Sequence, residues 1–78
     1  MINSNGVIQS ILFNKHIYTK KQALDFLKHH GYNHNKIDIT QNFYRFRQID
    51  PEYLQDLGYM RVINKKIAQG IEFIIYYL

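Results

Sequence analysis

The stretch YTKKQALDFLKHHG, residues 18–31, constrains this chain more than any other, because it is marked as a helix at both ends. The Thr19 hydroxyl can cap the free N–H groups of a first turn, and Gln22, three residues on, completes a capping box. Tyr18 stands where a hydrophobic staple to Ala23 would form. Ala23, Phe26, Leu27 and His30 recur at helical spacing with Leu24 beside them, so one face is apolar. Gly31 predicts a left-handed C-cap, and His29 and His30 sit at the negative end of the dipole.

One helix of this kind covers one face of one sheet, and most of the remaining chain reads as strands. Residues 7–13 are β-branched and aromatic, with apolar groups on both faces, as in an interior strand. Residues 37–39 suit a short extended piece. Residues 42–49 form a second strand, stopped by Asp50 and Pro51, since proline has no N–H for a ladder. Residues 52–57 suit one helical turn closed by Gly58. Residues 59–63 predict a third strand, residues 64–70 a turn, and residues 71–77 a fourth strand. The expected fold is α+β, in the order β-α-β-β-β, with one helix packed on a four-stranded mixed sheet. The first two strands would run parallel through a right-handed crossover, and the later ones would form antiparallel hairpins.

The 78 residues make one small domain, residues 1–78, with the polar stretch 1–6 expected to fray. A chain this short is marginally stable alone, and without cysteine it has neither a disulfide nor a thiolate metal site. That composition is compatible with a reducing compartment. A hydrophobic content of 46% excludes a disordered tail, and a net charge of +4 favours an anionic partner. The first residues lack a signal-peptide pattern, and no apolar run reaches the length of a membrane span, so no membrane partner is expected.

Chemistry centres on residues 42–49. Side chains alternate across a sheet, so Tyr44, Phe46 and Gln48 face one way and Phe43, Arg45, Arg47 and Ile49 the other. With Tyr44 and Phe46 under the helix, Arg45 and Arg47 lie on the open face, and Arg61 of the third strand can join them. Arginines for phosphate and rings for bases, with Tyr44 or Phe43 stacking if exposed, match the physical recipe for single-stranded nucleic acid. Lys20 and Lys21 occupy a helical first turn, whose N–H groups attract anions, and Lys65 and Lys66 can extend the patch. The same cations read equally well as the solvated side of a two-layer domain.

Other chemistry is thin. His30 and His34 have helical ligand spacing, but Gly31 lies between them, and no carboxylate or cysteine completes a set. No metal or other cofactor is expected. Ser4 and Ser10 are the only serines, the aspartates Asp25, Asp38, Asp50 and Asp56 are scattered, and the glycines are isolated. Neither a nucleophile triad nor a phosphate loop can be assembled from them, so the chain reads as a non-enzyme. The C-terminal run from Ile71 is apolar on both faces, which makes Phe73, Ile75 and Tyr77 candidates for a homodimer or partner interface.

Several pieces together carry a resemblance: residues 7–13 with Gln9-Ser10, Tyr18-Thr19 opening a helix with Ala23 and Leu27, His30-Gly31-Tyr32, Asp38, residues 42–48 with Arg45-Phe46-Arg47-Gln48, and Gly70-Ile71. From Val7 to about Ile75 the chain resembles a small domain encoded by tailed phages and by large DNA viruses of eukaryotes, one without an established activity. It departs from that pattern where an arginine-threonine-lysine run is expected, since Val62 and Ile63 follow Arg61, and at its end, Tyr76-Tyr77-Leu78, where the pattern has glycine. The resemblance implies a viral protein in an infected cell, in the cytoplasm or viral factory, or in the virion. The leading expectation is a non-enzymatic protein binding DNA or RNA through a basic sheet face. The alternative is a protein-interaction or virion-associated module that dimerises, or meets a viral partner, through its last strand.

Overall fold

The computed structural model describes residues 6–78. The elements are β1 (Gly6–Asn14), α1 (Lys20–His30), β2 (Ile37–Ile39), β3 (Phe43–Arg47), α2 (Pro51–Asp56), β4 (Arg61–Ala68) and β5 (Ile71–Tyr77). All five strands join one sheet in the order β2-β3-β1-β5-β4, and every pairing is antiparallel. The α+β class holds, whereas the four-stranded mixed sheet is corrected to five antiparallel strands. Fraying of residues 1–5 lies outside the described residues, while Gly6 already pairs with Tyr77.

The predicted crossover contains a real relation, displaced by one strand. β1 is antiparallel to β3, and β3 is antiparallel to β2. Two reversals make β1 and β2 parallel, with α1 between them in sequence. β3 has then folded back and inserted between the two, giving a split β-α-β arrangement. Three residues of β2 suffice because Ile37, Asp38 and Ile39 need to pair only one neighbour.

α1 forms as its capping residues demand. The Thr19 hydroxyl accepts from Gln22 N at 3.1 Å, and Thr19 N donates to Gln22 Oε1 at 2.8 Å. Gly31 adopts φ +77°, and Tyr32 N closes the last turn on Leu27 O at 2.8 Å. The helix lays Ala23 and Leu27 on Ile11 and Phe13 of β1, Phe46 of β3 and Ile71 of β5, all buried in one cluster. Phe13 meets Tyr18, Phe26 and Phe46 edge to face at 5.5–5.8 Å. Tyr18, read as a staple, also reaches the β4–β5 turn, its hydroxyl donating to Gln69 O at 2.9 Å.

β4 differs most from expectation. The turn predicted over residues 64–70 shrinks to Gln69 and Gly70, and Lys65 and Lys66 lie in the strand opposite Phe73 and Glu72. Asparagine and lysine have low strand propensity, but a central partner such as β5 offers a complete ladder, and pairing overrides the local preference. A bulge between Lys66 and Ala68 leaves Ile67 as the extra residue before the turn. The connection from β3 to β4 carries α2, whose Leu54 is buried away from the α1 cluster, as is Tyr76 of β5.

The turn glycine is the sharpest local demand. Gly70 has φ +81°, and a Cβ there would lie 2.8 Å from the Tyr18 ring and 3.0 Å from Ile17 Cδ1. Gly31 has a similar φ but open space around it. Gly31→Ala should therefore cost about 1–2 kcal/mol from backbone strain alone, and Gly70→Ala distinctly more, as the ring clash adds to the same strain. Urea denaturation midpoints of the two variants check the ranking, which equal losses would contradict.

Candidate functional site

Cross-strand partners share a face, so the register sorts the candidate residues. Ile11 with Phe46 and Phe73, and Phe13 with Tyr44 and Ile71, define the α1 side. Arg45, opposite Leu12 and Asp38, and Arg47, opposite Ser10, lie on the other side, as expected. Tyr44 is on the α1 side, half-buried against the core with the Lys15 ammonium 5.9 Å from its ring centre, so it cannot stack a base beside the arginines. Arg61 pairs with Tyr77, two alternations from Phe73, and so belongs to the α1 side as well. The three arginines therefore do not form one patch. Tyr77 lies four positions beyond Phe73 along β5, an even offset, so the pleat returns it to the same face.

Neither arginine of β3 is free. Arg45 Nε donates to Ser10 Oγ at 3.2 Å, and Nη2 to Gln9 Oε1 at 3.3 Å. Ser10 Oγ in turn donates to Gln9 Oε1 at 2.6 Å. Gln9 and Ser10 are fully buried, at a bulge between Ile8 and Ser10. The bulge lets the Gln9 carbonyl take both Gln48 N (2.7 Å) and Ile49 N (3.4 Å), while Gln9 Nε2 donates to Ile49 O at 2.8 Å. The Arg45 guanidinium thus satisfies buried acceptors that would otherwise be costly. Arg47 Nε lies 3.1 Å from Asp38 Oδ2, both side chains roughly half exposed. Its N–H is not aimed at that oxygen and has no other partner, so charge rather than a hydrogen bond holds the pair.

The remaining cations fall into two groups. At the start of α1 the capping box already occupies Gln22 N, and Lys21 pairs with Asp25 at 3.1 Å, leaving Lys20 exposed beside them. On β4, Arg61, Lys65 and Lys66 are exposed and form no ion pair among the described residues. The Arg61 guanidinium lies 5.5 Å from the centre of the Tyr77 ring, a cation–π contact.

The last strand, where an interface was expected, has no free edge. β5 lies between β1 and β4, so both its backbone edges are paired and it cannot add a strand. Phe73 packs on the core and edge to face on Tyr32, and Tyr77 covers Gly6, where a Cβ would come within 2.6 Å of its ring. The strand with an open edge is β4. All eight of its residues are exposed, including Val62, Ile63 and Ile67, and Met60 just before it is 82% exposed. Sequence reading placed half of β4 in a turn and therefore missed this edge. Its signal was the apolar–polar mixture of residues 60–67 next to a strand apolar on both faces.

Enclosed chemistry is sparse among the described residues. A shallow depression lined by Lys36, Arg47, Gln48, Ile49 and Asp50 holds about 210 Å³ open to solvent, below the range of small-molecule sites. No group of three metal-ligating side chains is found among the described residues. No helix is long and apolar enough to cross a membrane. Comparison with protein-family models, curated proteins and solved structures finds no match.

Arg45→Ala should destabilise the fold by about 1–3 kcal/mol, because it removes the charge-assisted bonds to Ser10 Oγ and Gln9 Oε1 and leaves those buried groups only the bond between them. Asp38→Asn should cost less than about 1 kcal/mol, as its ion pair is half exposed. Thermal melting separates the two, and equal small losses would return Arg45 to the solvated surface.

Proposed function

We propose that the chain is a non-enzymatic binding module whose working surface is the exposed β4 edge rather than the open sheet face. One observation carries this reading. β4 is a long edge strand, exposed along its whole length, whose outer backbone groups have no partner among the described residues. Alternate residues of an edge strand aim both N–H and C=O outward, which is a template for an added strand. The other edge, β2, has three residues and offers far less. The viral setting, an infected cell or a virion, is supported by the motif resemblance alone.

Nucleic-acid binding is the second reading, now moved to β4. It is favoured by the unpaired charges of Arg61, Lys65 and Lys66 and by the Tyr77 ring beneath Arg61. It no longer draws on Arg45 and Arg47, which are engaged within the fold.

Selection from a random peptide library, followed by amide hydrogen exchange of the bound chain, tests the first reading. Selected peptides should slow exchange along β4 at least about tenfold, as strand pairing protects outward amides. Protection confined to another element would refute it. Anisotropy with labelled single- and double-stranded DNA and RNA tests the second. Binding there should fall steeply with salt and be lost in the Arg61→Ala/Lys65→Ala/Lys66→Ala variant. Binding lost instead in Arg47→Ala would restore the sheet face.

A further inference from the structure

Resting on the β4 reading, we propose that the partner of this edge is an extended acidic segment of another protein, added antiparallel to β4 as a sixth strand. Two features select that chemistry. First, β4 is cationic without compensation: Arg61, Lys65 and Lys66 fall within eight residues that contain no acid. The one carboxylate on the paired strand, Glu72 opposite Lys66, forms no ion pair with it and accepts instead from Asn64 Nδ2 at 3.4 Å. Second, the cations are interleaved with exposed aliphatic groups in a fixed order. On the α1 side the edge presents Arg61, Ile63 and Lys65, and on the other side Val62, Asn64 and Lys66.

That order specifies a complement. Opposite residues 66 to 61, an antiparallel strand would place acid, acid, polar, apolar, apolar and acid. Each acid then faces a cation and each aliphatic side chain faces Ile63 or Val62, the pairings that stabilise neighbouring strands. Antiparallel addition matches the direction of every existing pair in the sheet.

A second copy of the chain is the competing occupant, and charge disfavours it. Two β4 strands related by a two-fold axis would gather both sets of cations in one ribbon with no acid between them. Lysines on an edge and a bulge near its end, here between Lys66 and Ala68, are the devices by which sheets resist self-pairing. These devices repel a like edge and leave an acidic strand free to dock.

The probe is the capped peptide Glu-Glu-Thr-Val-Val-Glu, titrated into the full chain at low salt while backbone amide shifts and exchange are followed. Three controls accompany it: the peptide with lysine in place of glutamate, the peptide with alternate backbone nitrogens methylated, and an oligonucleotide of equal charge. The acidic peptide should perturb and protect β4, and the lysine peptide should bind at least about tenfold more weakly. The methylated peptide, unable to donate to the ladder on one of its edges, should also lose about tenfold when the methyls face β4. Both methylation phases are tested, and only one should lose binding.

Equal protection of β4 by acidic and lysine peptides would overturn the acidic partner while leaving the edge reading intact. Equal binding of both methylated forms would overturn strand addition in favour of diffuse charge. Preference for the oligonucleotide would assign the cations to nucleic acid, and β4 protection in the concentrated chain alone would assign the edge to a second copy. Perturbation confined to other elements would refute the edge reading itself. Lys65→Glu/Lys66→Glu, checked as folded by circular dichroism, should invert the preference toward the lysine peptide.

Discussion

The ring of Phe13 is the contact on which the rest of the structure depends. It is fully buried, and it touches Tyr18 before the helix, Phe26 within it and Phe46 on the neighbouring strand. A single side chain of β1 therefore packs on the entry to α1, on the helix itself and on the neighbouring strand. Tyr18, held by that ring, also reaches Gln69 in the β4–β5 turn and leaves no room for a side chain at Gly70. The β4–β5 hairpin is thus fastened to the core by that tyrosine as well as by Ile71 and Phe73 of β5, while β4 itself brings no core residue.

The insertion of β3 between β1 and β2 decides what the sheet can present. It fills one flank of β1, so β5 takes the other, and β4 is left outermost. The apolar last strand, which in isolation invites a partner, is satisfied by β1 and β4 together. The demand for a partner passes outward to a strand with mixed character. An edge carrying both aliphatic and cationic groups is selective, because it gains from a strand only if that strand also brings opposite charge.

Much of this was legible in the sequence. Capping residues and periodicity located α1 closely, and alternation placed Arg45 and Arg47 opposite Tyr44 and Phe46. Pro51 and Gly58 bounded α2. What could not be read was pairing at a distance. Local pattern cannot say that residues 42–49 fold back past residues 37–39, since both orders bury the same side chains. Nor could it extend β4 through Asn64, Lys65 and Lys66, whose strand conformation comes from β5 and not from their own propensities. The parity that moves Arg61 to the other face follows from its register with Tyr77, which no spacing within the third strand reveals. The two arginines were placed on the correct face, but their partners within the fold, Gln9, Ser10 and Asp38, were not legible because they are distant in sequence.

The Gln9–Ser10 bulge shows why those arginines suit structure better than recognition. A buried glutamine and serine in the middle of a central strand would be destabilising if their acceptors were left unmet. Leucine or valine at both positions would avoid that cost. What the glutamine side chain adds to the backbone bonds of the bulge is a donor, Nε2, that holds Ile49 O at 2.8 Å, so that β3 ends at a defined point and the chain turns toward α2. Arg45 supplies the charge-assisted bonds that make this arrangement tolerable in a buried site. A guanidinium with two of its five N–H donors committed in this way is held beside Gln9 and Ser10 and has less freedom to follow an external phosphate. The cations of β4 have no ion pair among the described residues and only the Tyr77 ring beneath Arg61, and this difference in engagement is the physical reason to look for the partner at the edge.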